Sequence, residues 1–446
     1  MRIIVEGNKT ILQLLNINSL TSEVVPIEYK QSIYNKMYSF NESTYIYNTF
    51  TGLVALLEEN DVDVFKNNNF SELNVEKLIF LIKNRLLVLE SENEEKLYLQ
   101  CFGMIRKLGG KEGFSEYTIL PTTACNARCF YCFETNFVPE NMSLNTAREV
   151  ADYIIKTHNT EEIKILWFGG EPLCNFNVID EICGILNENN INFSSKMLSN
   201  GILFTNDIIQ KAKNNWKLKM VQITFDGMCD EHNKRKNFVT DFINPFETTV
   251  KAVKELVDND IAVTIRINID TQNFDSANSL IDYLYLNFSK YENFNVYPEM
   301  LYNSKEVWNF NRTVSENQGL FEKYTHLYNK VVDLGLYKSK KLKPKLRSQH
   351  CMADNQNAIV INQNGDLFLC DHCSAESRVG NIYSGITEKA VYDDWVNKIV
   401  IREKCENCCF LPICTPFSKC PDHIFNCALK AENTLKYKLL TLIKNS

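Results

Sequence analysis

Cys125, Cys129 and Cys132 stand in the run C-N-A-R-C-F-Y-C, directly after a strand-like segment at residues 116–121. Cysteine thiolates are the usual ligands of iron–sulfur clusters. Three of them at C-x3-C-x2-C hold three irons of a [4Fe–4S] cluster and leave the fourth open to a small molecule with its own donor atoms. A zinc knuckle, or chance among abundant cysteines, is the plainer alternative. A second cysteine field begins with Cys351, Gly365 and Cys370 and continues as Cys405-x2-Cys408-x5-Cys414-x5-Cys420-x6-Cys427, with Cys373 and Cys409 interspersed. Its C-x2-C pairs suit tetrahedral zinc as well as iron–sulfur. Asp371 directly follows Cys370, which puts a carboxylate beside a prospective metal ligand.

Composition narrows the class. The chain has 446 residues, 45% of them hydrophobic, with a net charge of −7. That length suits two or three domains, and the charge gives no support for nucleic-acid binding. The start MRIIVEGNKT lacks the basic and apolar regions of a signal peptide. No apolar run reaches the ~18 residues a membrane span needs. The expectation is a cytoplasmic enzyme with no membrane partner. Sixteen cysteines in that setting point to metal or redox chemistry, not to a disulfide scaffold. Cys101, Cys174, Cys183, Cys229 and Cys409 fall outside the metal spacings and read as small buried hydrophobes.

The elements that position these residues follow from period. Residues 116–121, 163–168, 195–199, 220–225, 262–269 and 294–298 read as strands. Residues 144–158, 178–187, 206–214, 245–257 and 275–285 read as helices between them. Such alternation implies parallel strands joined by right-handed crossovers. An open doubly wound sheet and a barrel both satisfy it.

The cysteine motif resembles the signature of the radical S-adenosylmethionine (SAM) superfamily. The resemblance implies an α/β partial (β/α)6 barrel over residues 111–303, open on one side. It also implies that SAM's amino and carboxylate groups occupy the open iron, and that electron transfer cleaves SAM to a 5′-deoxyadenosyl radical that abstracts a hydrogen atom. Barrel enzymes gather function at the C-terminal strand ends. Gly169, Gly170, Glu171 and Pro172 follow the second strand there; the glycines permit close backbone approach to a ligand, and exposed carbonyls and the carboxylate receive SAM's ammonium. Ser199 and Asn200 at the third strand, and Thr224 and Asp226 at the fourth, match the ribose side, with Asp226 as an alternative turn cap. Arg266 in the fifth strand suits SAM's carboxylate through two hydrogen bonds.

Residues 351–446 resemble the SPASM extension of that superfamily, which holds two auxiliary [4Fe–4S] clusters. The opening C-x13-G-x4-C and the C-x2-C-x5-C fit, whereas the next spacing is x5 where x3 is usual, and the last is short. The resemblance allots Cys351, Cys370 and Cys420, with Cys373 as a further candidate, to one cluster. Cys405, Cys408, Cys414 and Cys427 fall to the other. In the similar anaerobic sulfatase-maturating enzymes, an aspartate in the place of Asp371 is the general base. The basic residues 338–347 read as part of a solvated linker at 304–350, or as a guide for an acidic peptide.

Residues 1–110 are expected to form a small α+β domain. Residues 36–40 and 45–47 read as strands, 51–60 as strand or helix start, 71–82 as helix, and 85–89 with 94–99 as strand or wing. This order resembles the winged-helix domains with which peptide maturases add a leader strand to a sheet edge. The combined reading is a radical SAM/SPASM peptide maturase that forms a thioether or other cross-link in a ribosomally made precursor peptide. Its reductant would be an external donor such as flavodoxin or ferredoxin. An anaerobic sulfatase maturase and a non-catalytic iron–sulfur module are the alternatives.

Overall fold

The structure, a computed structural model, describes residues 1–14, 28–40, 42–71, 73–109, 112–134, 138–239, 244–301, 314–338, 349, 351–398, 403–414, 435, 436, 439 and 442. Its N-terminal unit contains β1 (Arg2–Val5), α1 (Lys9–Leu14), β2 (Tyr29–Gln31), β3 (Asn35–Phe40), β4 (Ser43–Asn48), β5 (Val54–Leu57), α2 (Glu59–Asn67), α3 (Val75–Lys83), β6 (Leu87–Leu89) and α4 (Glu94–Gly109). One antiparallel sheet has the order β1-β5-β4-β3, and β2 pairs with β6 in a second. Ile46, Ala55 and Leu57 on one face of the larger sheet pack against Phe65, Phe70 and Leu81. Residues 94–99, expected as strand or wing, are instead the first turns of α4. Asn93 Oδ1 accepts from the Lys96 N–H at 2.9 Å, and Glu94 and Glu95 complement the positive end of the helix.

Six strands run parallel and neighbour one another in chain order: β7 (Glu116–Ile119), β8 (Ile163–Trp167), β9 (Phe193–Ser199), β10 (Leu218–Phe225), β11 (Ala262–Ile269) and β12 (Phe294–Met300). The helices between them are α5 (Leu144–Thr157), α6 (Phe176–Glu188), α7 (Asn206–Asn214), α8 (Cys229–Lys236), α9 (Pro245–Asp258) and α10 (Phe274–Phe288). Strand alternation decides which side chains meet them. In β11, Val263, Ile265 and Ile267 enter the core while Thr264 and Arg266 stay half-buried on the other face. In α5, Ala147, Val150, Ala151 and Ile154 lie on one stripe at i, i+3, i+4 and i+7 and are buried. Burying Val150 or Ile154 this way is worth about 1.5–3 kcal/mol each. Ser143 starts that helix by accepting from the Thr146 N–H at 3.0 Å, a cap whose loss to alanine costs about 1 kcal/mol.

Among the described residues the sheet does not close. Beyond β7 it continues through β13 (Ala358–Ile361), which pairs parallel to β7, and then antiparallel through β14 (Asp366–Phe368), β15 (Arg378–Asn381) and β16 (Gly385–Ile386). Ile359, Ile361, Leu367, Val379 and Trp395 share one core with the barrel. The architecture is thus α/β, with an open barrel extended by the C-terminal strands. Two helices depart from expectation. The segment expected as linker contains α11 (Val314–Asp333), which buries Tyr324, Leu327, Tyr328 and Val331 and follows β12 as its crossover helix. The strongly polar α8 buries His232, Arg235 and Lys236. No helix among the described residues is long and apolar enough to cross a membrane.

Candidate active site

The parallel strands bring four segments to one rim: the cysteine loop after β7, residues 169–172 after β8, and the tips of β9 and β10. The glycines make a close contact within the protein. Gly169 has φ +105°, and a Cβ there would stand 2.4 Å from the Thr122 carbonyl oxygen. A Cβ on Gly170 would stand 2.3 Å from the Ala124 carbonyl oxygen. The close approach that the structure shows is to the backbone just before Cys125. Hydrogen bonds from Gly170 N to Thr122 O (3.1 Å) and from Glu171 N to Ala124 O (2.9 Å) fix it.

Glu171 is fully buried, so its carboxylate is not the exposed acceptor expected from the sequence. Ser199 Oγ (2.9 Å), Asn200 N (2.7 Å) and Leu173 N (3.2 Å) all donate to it. Burial pushes its carboxyl up to about 7, opposed by the Asn200 and Ser199 hydrogen bonds. Glu171 thus ties the β8 turn to the β9 tip. Ser199 Oγ also accepts from Gly201 N at 2.9 Å, which leaves it little capacity for a ribose. Asn200 Nδ2 donates to Asn126 Oδ1 at 2.7 Å, inside the cysteine loop. Asn126 Nδ2 is buried without a hydrogen-bond partner among the described residues.

In the cysteine loop, Cys132 N donates to Cys129 O at 3.1 Å, and Arg128 N donates to Lys236 O at 2.9 Å. Ala127 N donates to Cys125 Sγ at 3.4 Å. Burial, with Glu171 second, pushes the Cys125 thiol up to about 12, and burial also raises that of Cys132. Both thiols feel Cys129. Among the described residues no three His, Cys, Asp or Glu side chains already form a metal-binding array. The donor set is nevertheless three neighbouring soft thiols on one loop, and it fits an iron–sulfur cluster one ligand short of saturation. Cluster assembly there must displace protons.

Asp226 does not cap a turn with its side chain. It is fully buried and accepts from Tyr131 Oη at 2.8 Å, with Lys236 Nζ 3.7 Å away. Lys236 Nζ donates to Tyr131 Oη at 3.1 Å. Burial opposes the lysine's charge, but Asp226 and Tyr131 outweigh it and hold Lys236 above the usual lysine range. This network locks the cysteine loop to β10 and α8. Sequence reasoning missed Tyr131 and Lys236, although Tyr131 lies inside the motif. Thr224 and Arg266 sit half-buried on the inner wall, with Arg266 Nε donating to Asn268 Oδ1 at 3.0 Å. Tyr297 Oη reaches across to Gln222 Oε1 at 2.9 Å, so this wall is polar.

The turn at Cys370, Asp371, His372 and Cys373 docks on the cysteine loop. The Phe133 ring stacks on His372 at 4.4 Å and on Phe168 at 6.4 Å. Asp371 Oδ1 lies 3.6 Å from Cys370 Sγ. Glu134, also missed in the sequence, is pushed up to about 7 by burial and then by Asp371. Burial, and then Asp371, raises the Cys370 thiol, and Cys351 adds to the shift. The Cys373 thiol is raised to about 12 by burial and then Asp371. Cys405 and Cys408 close a turn in which Cys408 N donates to Cys405 O at 3.2 Å. The side chain of Cys414, and Cys420 and Cys427, lie outside the described residues. Pro172 starts a short 3-10 turn. Among the cysteines read as buried hydrophobes, Cys101 and Cys183 are buried, Cys229 and Cys409 are half-buried, and Cys174 is exposed.

Comparison with known proteins agrees with this geometry. The Radical SAM superfamily model matches residues 119–284. An uncharacterized protein of Methanocaldococcus jannaschii is 26% identical over 280 residues, covering 61% of this chain and 90% of that protein. The radical SAM cyclopropyl synthase TigE of Paramaledivibacter caminithermalis is 24% identical over 285 residues. That match covers 57% of this chain and 56% of TigE, so the chain spans little more than half of it. Among solved structures, anSMEcpe with bound AdoMet and the Cp18Cys peptide superposes with a TM-score of 0.57 at 16% identity. It covers 74% of this chain and 98% of that one. The chain carries a radical SAM domain in a radical SAM fold, and the protein is an enzyme.

Proposed function

We propose that this radical SAM enzyme is a cytoplasmic peptide maturase that forms a thioether or other cross-link in a ribosomally made precursor. The observation that carries the reading is the open barrel: the cysteine loop stands at the rim of a polar inner wall that the unclosed sheet leaves accessible to a chain-like substrate. The peptide in the anSMEcpe complex agrees with a peptide substrate. When bound, the cluster and SAM supply an electron and a 5′-deoxyadenosyl radical. Cys125, Cys129 and Cys132 hold that cluster. The backbone of 169–172, with Asn200, Thr224 and Arg266, receives SAM, while Glu171, Ser199 and Asp226 set the positions of these tips. Asp371 would accept a proton from the substrate, and Cys351, Cys370, Cys373, Cys405 and Cys408 would hold the auxiliary clusters, groups whose chemistry is electron uptake. Flavodoxin or ferredoxin is the external donor.

Asp371, held against the cysteine loop through the neighbouring His372–Phe133 stack, also favours a second reading, a sulfatase maturase that oxidises Cys or Ser to formylglycine. One experiment separates the two. The anaerobically reconstituted enzyme is reduced with SAM and offered a Cys-containing precursor with its leader, or a short sulfatase-motif peptide. Loss of two hydrogens from the precursor with a new cross-link in fragmentation spectra supports the maturase. Formylglycine in the short peptide replaces that reading.

A further inference from the structure

By its sequence the N-terminal unit resembles a domain that binds a leader strand. The packing gives it a second task at the distal cysteine turn. Cys405 is buried in an aromatic cluster with Tyr34, Phe50, Tyr98 and Phe102 from the N-terminal unit. Thr49 Oγ, in the β4–β5 turn, donates to the Cys409 carbonyl oxygen. Asn407 N donates to Glu95 Oε2 of α4 at 3.2 Å. Phe410 is buried among Tyr38, Tyr47 and Val54 of the four-stranded sheet, with Lys36 Nζ 5.6 Å from its ring. The two sides meet again around a cavity of about 460 Å³, lined by Glu90, Glu92 and Glu94 from one side and Glu406 and Asn407 from the other.

These contacts flank the turn between the two cysteines. Asn407 sits in the left-handed region at φ +56°, which asparagine tolerates better than most residues. Cys408 N closes the turn on Cys405 O, so both thiols leave one knuckle of backbone. Two thiols on such a knuckle are half of the soft donor set that an iron–sulfur cluster takes.

We infer that the N-terminal unit is a wall of this distal metal site: Thr49 and Glu95 position the Cys405–Cys408 turn, and metal occupancy there is linked to folding of the first hundred residues. The inference rests on the reading that residues 405–408 bind an iron–sulfur cluster. Groups that hold metal ligands from behind typically change metal affinity 10–100-fold when removed. Binding at a site shared by two units also stabilises both. A leader engaged by the N-terminal unit then acts on a body continuous with an electron-accepting centre, and truncating that unit strips one side of the site.

The test uses the full-length, anaerobically iron-loaded protein with Thr49→Val and Glu95→Ala combined. Iron should leave one site to a chelator about 10-fold faster than in the wild type or more, while the rate of SAM cleavage stays unchanged. Conversely, Cys405→Ser with Cys408→Ser should lose one cluster's iron and raise amide hydrogen exchange over residues 29–57. Chelator release at the wild-type rate, or exchange over 29–57 indifferent to iron loss, overturns the linkage while the metal site stands. Full wild-type iron in the double serine variant overturns the metal reading itself, and the linkage with it.

Discussion

Replacing Gly170 by alanine tests whether the turn after β8 sets the cysteine loop. The new methyl carbon would lie 2.3 Å from Ala124 O and 2.7 Å from Ala124 C and Thr123 O. All three are backbone atoms, so no side-chain rotation relieves the contact. Ordinary van der Waals contact begins at 3.4 Å, so the loop must retreat by about 1 Å, in a region packed to crystal-like density. Cys125 follows Ala124 directly and its thiol moves with it. Overpacking of this kind costs about 1–3 kcal/mol. The larger effect is on chemistry, where a misplacement of about 1 Å costs about 10²-fold. Gly184→Ala in α6 is the control: its new methyl meets nothing within 4 Å, and removing a helical glycine gains about 0.5–1 kcal/mol. The assay is 5′-deoxyadenosine formed per minute by the reduced, reconstituted proteins, beside thermal unfolding. Gly170→Ala should be folded and about a hundredfold slow, and Gly184→Ala fully active. A Gly170→Ala enzyme that cleaves SAM at the wild-type rate refutes the claim that the turn positions the loop.

Three further outcomes follow from the same geometry. Burial raises Glu171 to about 7 from 4.5, so the folded protein binds its proton more tightly; this contribution is complete below about pH 4.5 and is lost as pH climbs to about 7, about 3 kcal/mol in all. Urea unfolding of Glu171→Gln should lack that fall between pH 5 and 7.5, and an unchanged slope rules out Glu171 as its source. Lys236→Met leaves Asp226 buried without its cation and should cost about 3–5 kcal/mol in unfolding free energy, with Asp226→Asn restoring part of it; simple additivity of the two variants argues against the pairing. Asp371→Asn should keep SAM cleavage yet lower modified peptide by about 10²–10⁴-fold, and normal product yield would make Asp371 structural.

The sequence exposed the strands well because burial alternates cleanly along them, as Val263, Ile265 and Ile267 do in β11. The cysteine motif was equally legible, since its spacing is local. What escaped depends on contacts between distant residues. Tyr131 and Lys236 are far apart in sequence yet share one hydrogen bond, and nothing in the polar run C-D-E-H-N-K-R-K shows that His232, Arg235 and Lys236 face inward. Glu171 and Ser199 read as ligand contacts because each stands at a strand end; only their mutual hydrogen bond turns them into positioning residues. The continuation of the sheet from β7 into β13 joins residues more than two hundred positions apart, beyond the reach of any local period.

Cys125, Cys129 and Cys132 are proposed to hold the centre at which SAM is cleaved, apart from any iron held by the second cysteine field. Iron and 5′-deoxyadenosine measured together on the reconstituted Cys125→Ala, Cys129→Ala, Cys132→Ala variant test it most directly. SAM cleavage should disappear while the iron bound through residues 351–408 remains. Persistent 5′-deoxyadenosine formation, or loss of all iron with it, would contradict it.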